Sequence, residues 1–170
     1  AANYVWSFAT GTTPVQGPVI LATAARFGIL SGVGVSNQAG PSVINDLDVG
    51  IYPGVRSAVT GFPPATIVNG AIYASDDIAP PGVPAMLLQA KTDLTNAYLA
   101  AEAAVSPAPQ TVSGDQGGLT LAPGIYKSTS TLSIANGNLT LDAQGNSNAI
   151  WIFQIASGFT TVGGAGGSVI

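Results

Sequence analysis

The sequence has no cysteine and no histidine among its 170 residues. Those two absences together remove disulfide frameworks, thiolate metal sites, His-ligated zinc, thiol nucleophiles and the usual hydrolase triads. Charge is scarce as well. Only 7% of residues are charged, the net charge is −4, and Arg26, Arg56, Lys91 and Lys127 are the only cations. Four scattered cations cannot follow a phosphate backbone, so nucleic acid is excluded as a partner. No apolar run reaches the roughly 18 residues of a membrane span, and Arg26 interrupts the best candidate, Val19 to Val35. With these groups missing, no cofactor and no metal are expected.

What is present is apolar and small. Hydrophobic residues make up 46%, with 22 glycines and 12 prolines, so Ser, Thr, Asn and Gln must do the work of keeping the surface wet. The length suits one domain with a real core. From Thr111 to Gly164 short apolar strands recur at Gly124-Ile125-Tyr126, Leu132-Ser133-Ile134, Leu139-Thr140-Leu141, Ile150 to Phe153 and Phe159 to Val162. Turn pairs separate them: Pro123-Gly124, Asn136-Gly137, Gly145-Asn146 and Ser157-Gly158. Strands this short and this evenly punctuated mean a sandwich, a barrel or a solenoid. Alternation puts Leu132 and Ile134 on one face and Thr131 and Ser133 on the other. One face is dry; the other carries small hydroxyls and almost no charge.

The earlier half reads less evenly. Ala1 to Gly17 is a leader without clear period, holding Trp6 and Phe8, and a separate N-terminal segment is placed at 1–20. Ala1-Ala2 is what signal-peptide cleavage at a small-residue site leaves, so a secreted, extracellular protein is expected. Phe27 to Leu30 and Val33-Gly34-Val35 read as strands, Asn37 to Pro41 as a turn cluster, and Ser42 to Val49 as one further strand. Between about 84 and 105 the period changes. Leu87, Ala90, Leu94, Ala97, Tyr98, Ala101 and Val105 step by threes and fours, one stripe of an α-helix. Pro84 fits its first turn and Ser106-Pro107 stops it.

Two constellations invite chemistry. Asp46 and Asp48 alternate on the expected strand, about 6.6 Å apart on one face, which suits the carboxylates of an inverting glycosidase or two caps at a corner. Asp142, Gln144, Asn146 and Asn148 alternate oxygen atoms as a calcium loop does, but the twelfth position is Phe153 where Glu is needed; a series of Asx-turns explains them equally. Asn138-Leu139-Thr140 is a glycosylation sequon if a eukaryote makes the protein.

The run from Thr111-Val112-Ser113-Gly114-Asp115 through Leu119-Thr120-Leu121-Ala122-Pro123-Gly124-Ile125-Tyr126 resembles the microbial ice-binding (antifreeze) protein family. The likeness continues in Leu139-Thr140-Leu141-Asp142-Ala143-Gln144-Gly145, Ile150 to Ile155, Leu21 to Phe27, Asn45 to Gly50, Thr60 to Pro64 and Thr92 to Tyr98. It covers about Leu21 to Ile170. The resemblance implies a mostly β fold, a right-handed β-solenoid of triangular cross-section with one long α-helix packed alongside, placed at 21–170. It also implies a non-enzymatic protein whose partner is an ice crystal surface, acting as a monomer. Counting strands in threes puts Phe159 to Val162 on the same face as Thr129 to Ile134, one coil later. The ice-binding residues implied are Ser36, Thr131, Ser133, Thr160 and Val162. Thr on a strand is also favoured by β-propensity alone, so composition by itself does not make that face a plate. A carbohydrate-binding or adhesin-type solenoid is the alternative. Family members usually carry further coils, so a fragment lacking its C-terminal coils is expected.

Overall fold

The computed structural model describes residues 17–38, 40–162 and 167–170. The leader with Trp6 and Phe8 therefore lies outside the described residues, apart from Gly17, and so does Ala39 of the Asn37–Pro41 turn cluster. Two compact units divide the chain: Val19–Ala100, and Ala101–Ile170, to which Gly17 and Pro18 also belong.

The first unit holds seven short strands: β1 (Phe27–Ser31), β2 (Val35–Ser36), β3 (Val43–Asn45), β4 (Asp48–Ile51), β5 (Val59–Thr60), β6 (Thr66–Val68) and β7 (Ile72–Ala74). Every pairing is parallel, in three ladders ordered β1-β4-β7, β2-β5 and β3-β6. The strand order thus repeats every three strands, and each turn of chain stacks on the one before. Paired residues of stacked turns lie 20 to 24 apart, from Leu30 with Gly50 to Val35 with Val59, and side chains span the same step, as in Arg26 with Asp48 and Asp48 with Ala71. Parallel strands joined without helical crossovers in this way are what a solenoid requires and a doubly wound sheet forbids.

Corners are built by residues that accept a left-handed backbone. Asp46 (φ 59°) and Asn69 (φ 56°) occupy equivalent corners in successive turns, since Asn45 pairs with Val68. The Asn69 amide donates to Asp46 Oδ1 at 2.9 Å. Asn and Asp tolerate this region because a short polar side chain bonds locally. The corner breaks the single strand expected from Ser42 to Val49 into β3 and β4, with a turn at Asp46-Leu47. Similarly, only Val35 of Val33-Gly34-Val35 joins a ladder.

Helix α1 runs Val83–Glu102, about 30 Å long. Its first part covers the β1-β4-β7 sheet, which is why all four residues of β4 are buried. Val49 and Ile51 fill the inside while Gly50 meets the helix. A Cβ on Gly50 would come within 3.0 Å of Leu87 Cδ2 and closer still to Leu30 and Phe27, so only glycine lets the helix sit this near. The buried stripe is Val83, Leu87, Ala90 and Ala97, with Leu94 half-buried. Tyr98 (63% exposed) and Val105 (70%) do not belong to it. Spacings of four, three, four and three already close at Ala97; one residue further is about 100° round the axis. Val105 lies beyond the helix end. Asp93, off the stripe in sequence, is instead pinned, accepting hydrogen bonds from the Thr23 N–H and hydroxyl.

The second unit repeats the scheme with β8 (Gln110–Thr111), β9 (Gly114–Asp115), β10 (Thr120–Leu121), β11 (Gly124–Ser128), β12 (Leu132–Ile134), β13 (Thr140–Leu141), β14 (Trp151–Ile155) and β15 (Phe159–Thr161). Its ladders are β8-β11-β14, β9-β12-β15 and β10-β13, all parallel. A bridge from Leu139 to Val169 extends the third. Ile125, Leu132 and Ile134 are fully buried and Leu139 nearly so, each contributing about 1.5–3 kcal/mol. Tyr126 stacks on Phe153 at 5.3 Å. The Gln154 amide donates to the carbonyls of Ala101, Glu102 and Ala104, capping the orphan acceptors where the helical chain ends. Among the described residues the chain is thus short strands with one long α-helix.

Candidate functional site

In the β9-β12-β15 ladder the central strand β12 separates its two faces by burial, whereas all three residues of β15 are exposed. Leu132 and Ile134 are buried, while Ser133 between them is half-exposed and Thr131 exposed. Register aligns Leu132 with Phe159, Ser133 with Thr160 and Ile134 with Thr161. Thr160 therefore points outward with Ser133, and Phe159 and Thr161 align with the inner Leu132 and Ile134 but are themselves exposed. On the other side Ser133 aligns with Asp115. The backbone bonds from Leu132 N–H to Gly158 O (3.0 Å) and Val162 N–H to Ile134 O (3.2 Å) carry the register one residue further at each end. Three outward rows result: Thr131 beside Gly158, then Asp115, Ser133 and Thr160, then Gly117, Ala135 and Val162.

Steps of about 4.8 Å between coils and about 6.6 Å along a strand make this a grid of small side chains. Thr131 donates weakly to Ser157 Oγ at 3.4 Å across the coils. Four of the five residues implied by the resemblance, Thr131, Ser133, Thr160 and Val162, are thereby brought together on one ladder. Ser36 is elsewhere. It lies on β2 in the first unit, exposed and aligned with exposed Thr60, above Val35 and Val59 on the inner side.

Sequence reading missed Thr60, Gly158 and Asp115. Thr60 was visible only as part of a likeness, with no alternation around it. Asp115 corrects the expectation of a nearly charge-free outward face, since a carboxylate stands in the middle row. That carboxylate is not free. Its Oδ1 accepts the Gly117 and Ala135 N–H groups, each at 2.8 Å, and its Oδ2 accepts the Asn136 N–H at 3.0 Å and the Asn136 amide at 2.6 Å. These donors, led by Gly117 and Ala135, hold it below the usual carboxylate range.

A family model described as ice-binding-like matches residues 29–170. The chain belongs to that family. The ice-binding protein of Nostoc sp. (strain HG1) is 44% identical over 142 residues, covering 84% of this chain and 47% of the relative. The chain thus spans about half the length of that curated relative. Among solved structures, an ice binding protein from an Antarctic biological consortium is 40% identical with a TM-score of 0.75, covering 92% of this chain and 65% of that one. The corresponding domain of Shewanella frigidimarina ice-binding protein 1 is 33% identical with a TM-score of 0.78, covering 94% and 72%. These ice-binding-like relatives are β-solenoids, the fold to which the three-ladder repeats of this chain correspond. The family is not known for catalysis.

The two constellations that suggested other chemistry resolve structurally. Asp46 sits at a left-handed corner against Asn69, whereas Asp48 is buried, with Oδ2 accepting Arg26 Nε and Nη2 at 2.7 Å and Oδ1 accepting the Ala71 N–H. The corner destroys the alternation that put both carboxylates on one face, so the glycosidase geometry is overturned. In the 142–148 loop, Asp142 Oδ1 accepts the Gln144 N–H at 2.8 Å and Asn146 Oδ1 accepts the Asn148 N–H at 2.9 Å. Those are two successive Asx-turns.

Proposed function

We propose that the chain is a non-enzymatic ice-binding protein that adsorbs to ice through the outward face of the β9-β12-β15 ladder, with Thr131, Ser133, Thr160 and Val162 in contact; Ser36, exposed on β2, is proposed as an ice contact of its own unit. The observation that carries this reading is the Ser133–Thr160 register, which stacks outward Ser, Thr, Gly, Ala and Val on the side opposite buried Leu132 and Ile134 in a chain of the ice-binding-like family. The relatives named above are themselves called ice-binding proteins.

Ice offers no charge to pair with. Binding it calls for a broad rigid array that holds surface water in an ice-like arrangement, and strongly hydrated Lys or Glu would spoil that order. Small hydroxyls and methyls on a fixed backbone do not. Each contact is weak, but the ordering entropy has been met in folding, so many contacts add. Adsorbed protein then pins the ice front, which curves between anchor points and freezes at a lower temperature. A sugar-binding trough needs aromatic side chains in line, and these outward rows hold none.

Flatness is what the test must break. Thr160→Tyr puts a ring on the plate and holds its neighbours off the ice, while Asn96→Tyr puts the same ring on the exposed surface of α1. With both variants folded, thermal hysteresis is expected to collapse in Thr160→Tyr and to persist in Asn96→Tyr and in Thr160→Ser. Equal hysteresis in the two Tyr variants would mean that ice meets a different face.

A further inference from the structure

We propose that Asp115 is a positioning residue for the ice-facing ladder: it withdraws its own charge from the plate and fixes the corner at which the outward strand ends. This rests on the ice-binding reading above. Asp115 stands in the middle outward row beside Ser133 and Thr160, where a freely hydrated carboxylate would be the one group that disorders surface water. A carboxylate offers about four acceptor sites, and here four N–H donors occupy them.

The donors come from two successive coils. Gly117 is two residues along the same turn of chain, whereas Ala135 and Asn136 lie 20 and 21 residues on, in the next. One side chain therefore ties the corner of one coil to the corner of the next, just where Ala135 and Val162 complete the plate's third row. Gly117 makes the approach possible. A Cβ there would stand 2.8 Å from Asn136 N and 2.9 Å from its carbonyl carbon, both backbone atoms, so any larger residue would push the coils apart. Asparagine at 115 keeps one acceptor oxygen but turns an NH2 towards the other pair of donors, leaving two N–H groups facing a third. None of the groups that depress the Asp115 carboxyl is itself charged; hydrogen bonds from Gly117, Ala135 and Asn136 do it against desolvation.

The test compares the full chain with Asp115→Asn and with Asp142→Ala, which removes a carboxylate from an Asx-turn in the same unit outside this ladder. Two quantities are read near 0 °C, where all three are folded: NMR amide exchange at Gly117, Ala135 and Asn136, and thermal hysteresis. Asp115→Asn is expected to speed exchange at those amides about tenfold, the effect of losing roughly one net hydrogen bond, and to remove most of the hysteresis. Asp142→Ala is expected to change neither. Unchanged exchange in Asp115→Asn overturns the anchoring role. Faster exchange with full hysteresis overturns the link to ice. Equal loss of hysteresis in Asp142→Ala would reduce the effect to general damage and overturn it too. An unsubstituted chain without hysteresis overturns the ice-binding reading itself, a result distinct from an active chain whose Asp115→Asn variant stays active.

Discussion

Asp48 shows how a single side chain holds successive turns of the first unit together. Its Oδ2 accepts Arg26 from the preceding turn, and its Oδ1 accepts the Ala71 N–H from the following one. The guanidinium lies over the rings of Phe27 and Tyr73 at 5.4 and 5.1 Å. Arg26 is partly exposed, so the Coulombic part is screened. The larger effect is the part-buried Ala71 N–H that loses its acceptor. Asp48→Ala is expected to cost about 1–3 kcal/mol in urea unfolding, and a change within about ±0.5 kcal/mol would class the pair as an ordinary surface contact. The role was hidden in the sequence. Asn45-Asp46-Leu47-Asp48 reads both as an alternating strand and as a pair of corner caps; the corner at Asp46 agrees with the second reading, while Asp48 lies in β4 and not at the corner. The equivalent corner one turn later, Asn69-Gly70, is a plain turn signal. Asp46 takes the same left-handed conformation without the glycine, so residue identity alone does not reveal it.

Among the elements, the helix and the ladders were legible to different degrees. Threes-and-fours spacing located α1, since a long amphipathic period is a strong signal, yet it included Tyr98 and Val105. A 3.6-residue turn admits two neighbouring candidates at each step, and only packing chooses between Ala97 and Tyr98. The ladder count succeeded for β12 and β15 because Asn136-Gly137 and Ser157-Gly158 flank them. It was silent about β9, whose two residues Gly114–Asp115 show no alternation at all. A ranked series tests the helix. Leu87, with no exposed surface and seated on Gly50, is expected to cost about 2–5 kcal/mol when cut to Ala. Leu94→Ala, half-buried, should cost less, and Tyr98→Ala should stay within about ±0.5 kcal/mol. If denaturation gave Tyr98→Ala the largest loss, the buried stripe would be the one written in sequence and not the one described here.

On the scale of the whole molecule, the two arginines and seven of the eight carboxylates are held by hydrogen bonds or ion pairs. Asp77 is held below the usual carboxylate range first by Arg56 and then by the Ala74 N–H, Asp93 by Thr23 and then Gln89, and Asp115 by Gly117, Ala135 and Asn136. Burial raises the Tyr126 phenol. The signs follow from linkage. A carboxylate depressed on folding stabilises the native state above its unfolded value near 4, and that stability is lost as pH falls through the lower folded value. A raised phenol stabilises below its unfolded value near 10 and loses that contribution as pH climbs towards the folded one. With no histidine in the sequence, no side chain with an unperturbed pKa near 6.5 lies between these limits. The melting temperature is therefore expected to be flat from about pH 5 to about pH 9, to fall below about pH 4 as Asp77, Asp93 and Asp115 protonate, and to fall again above about pH 10. Calorimetry across that range reads both edges. A steep change between pH 5 and 8 would contradict it, because the carboxylates that tie Arg56, Thr23 and the Asp115 corner would then not be the groups whose ionisation holds the fold.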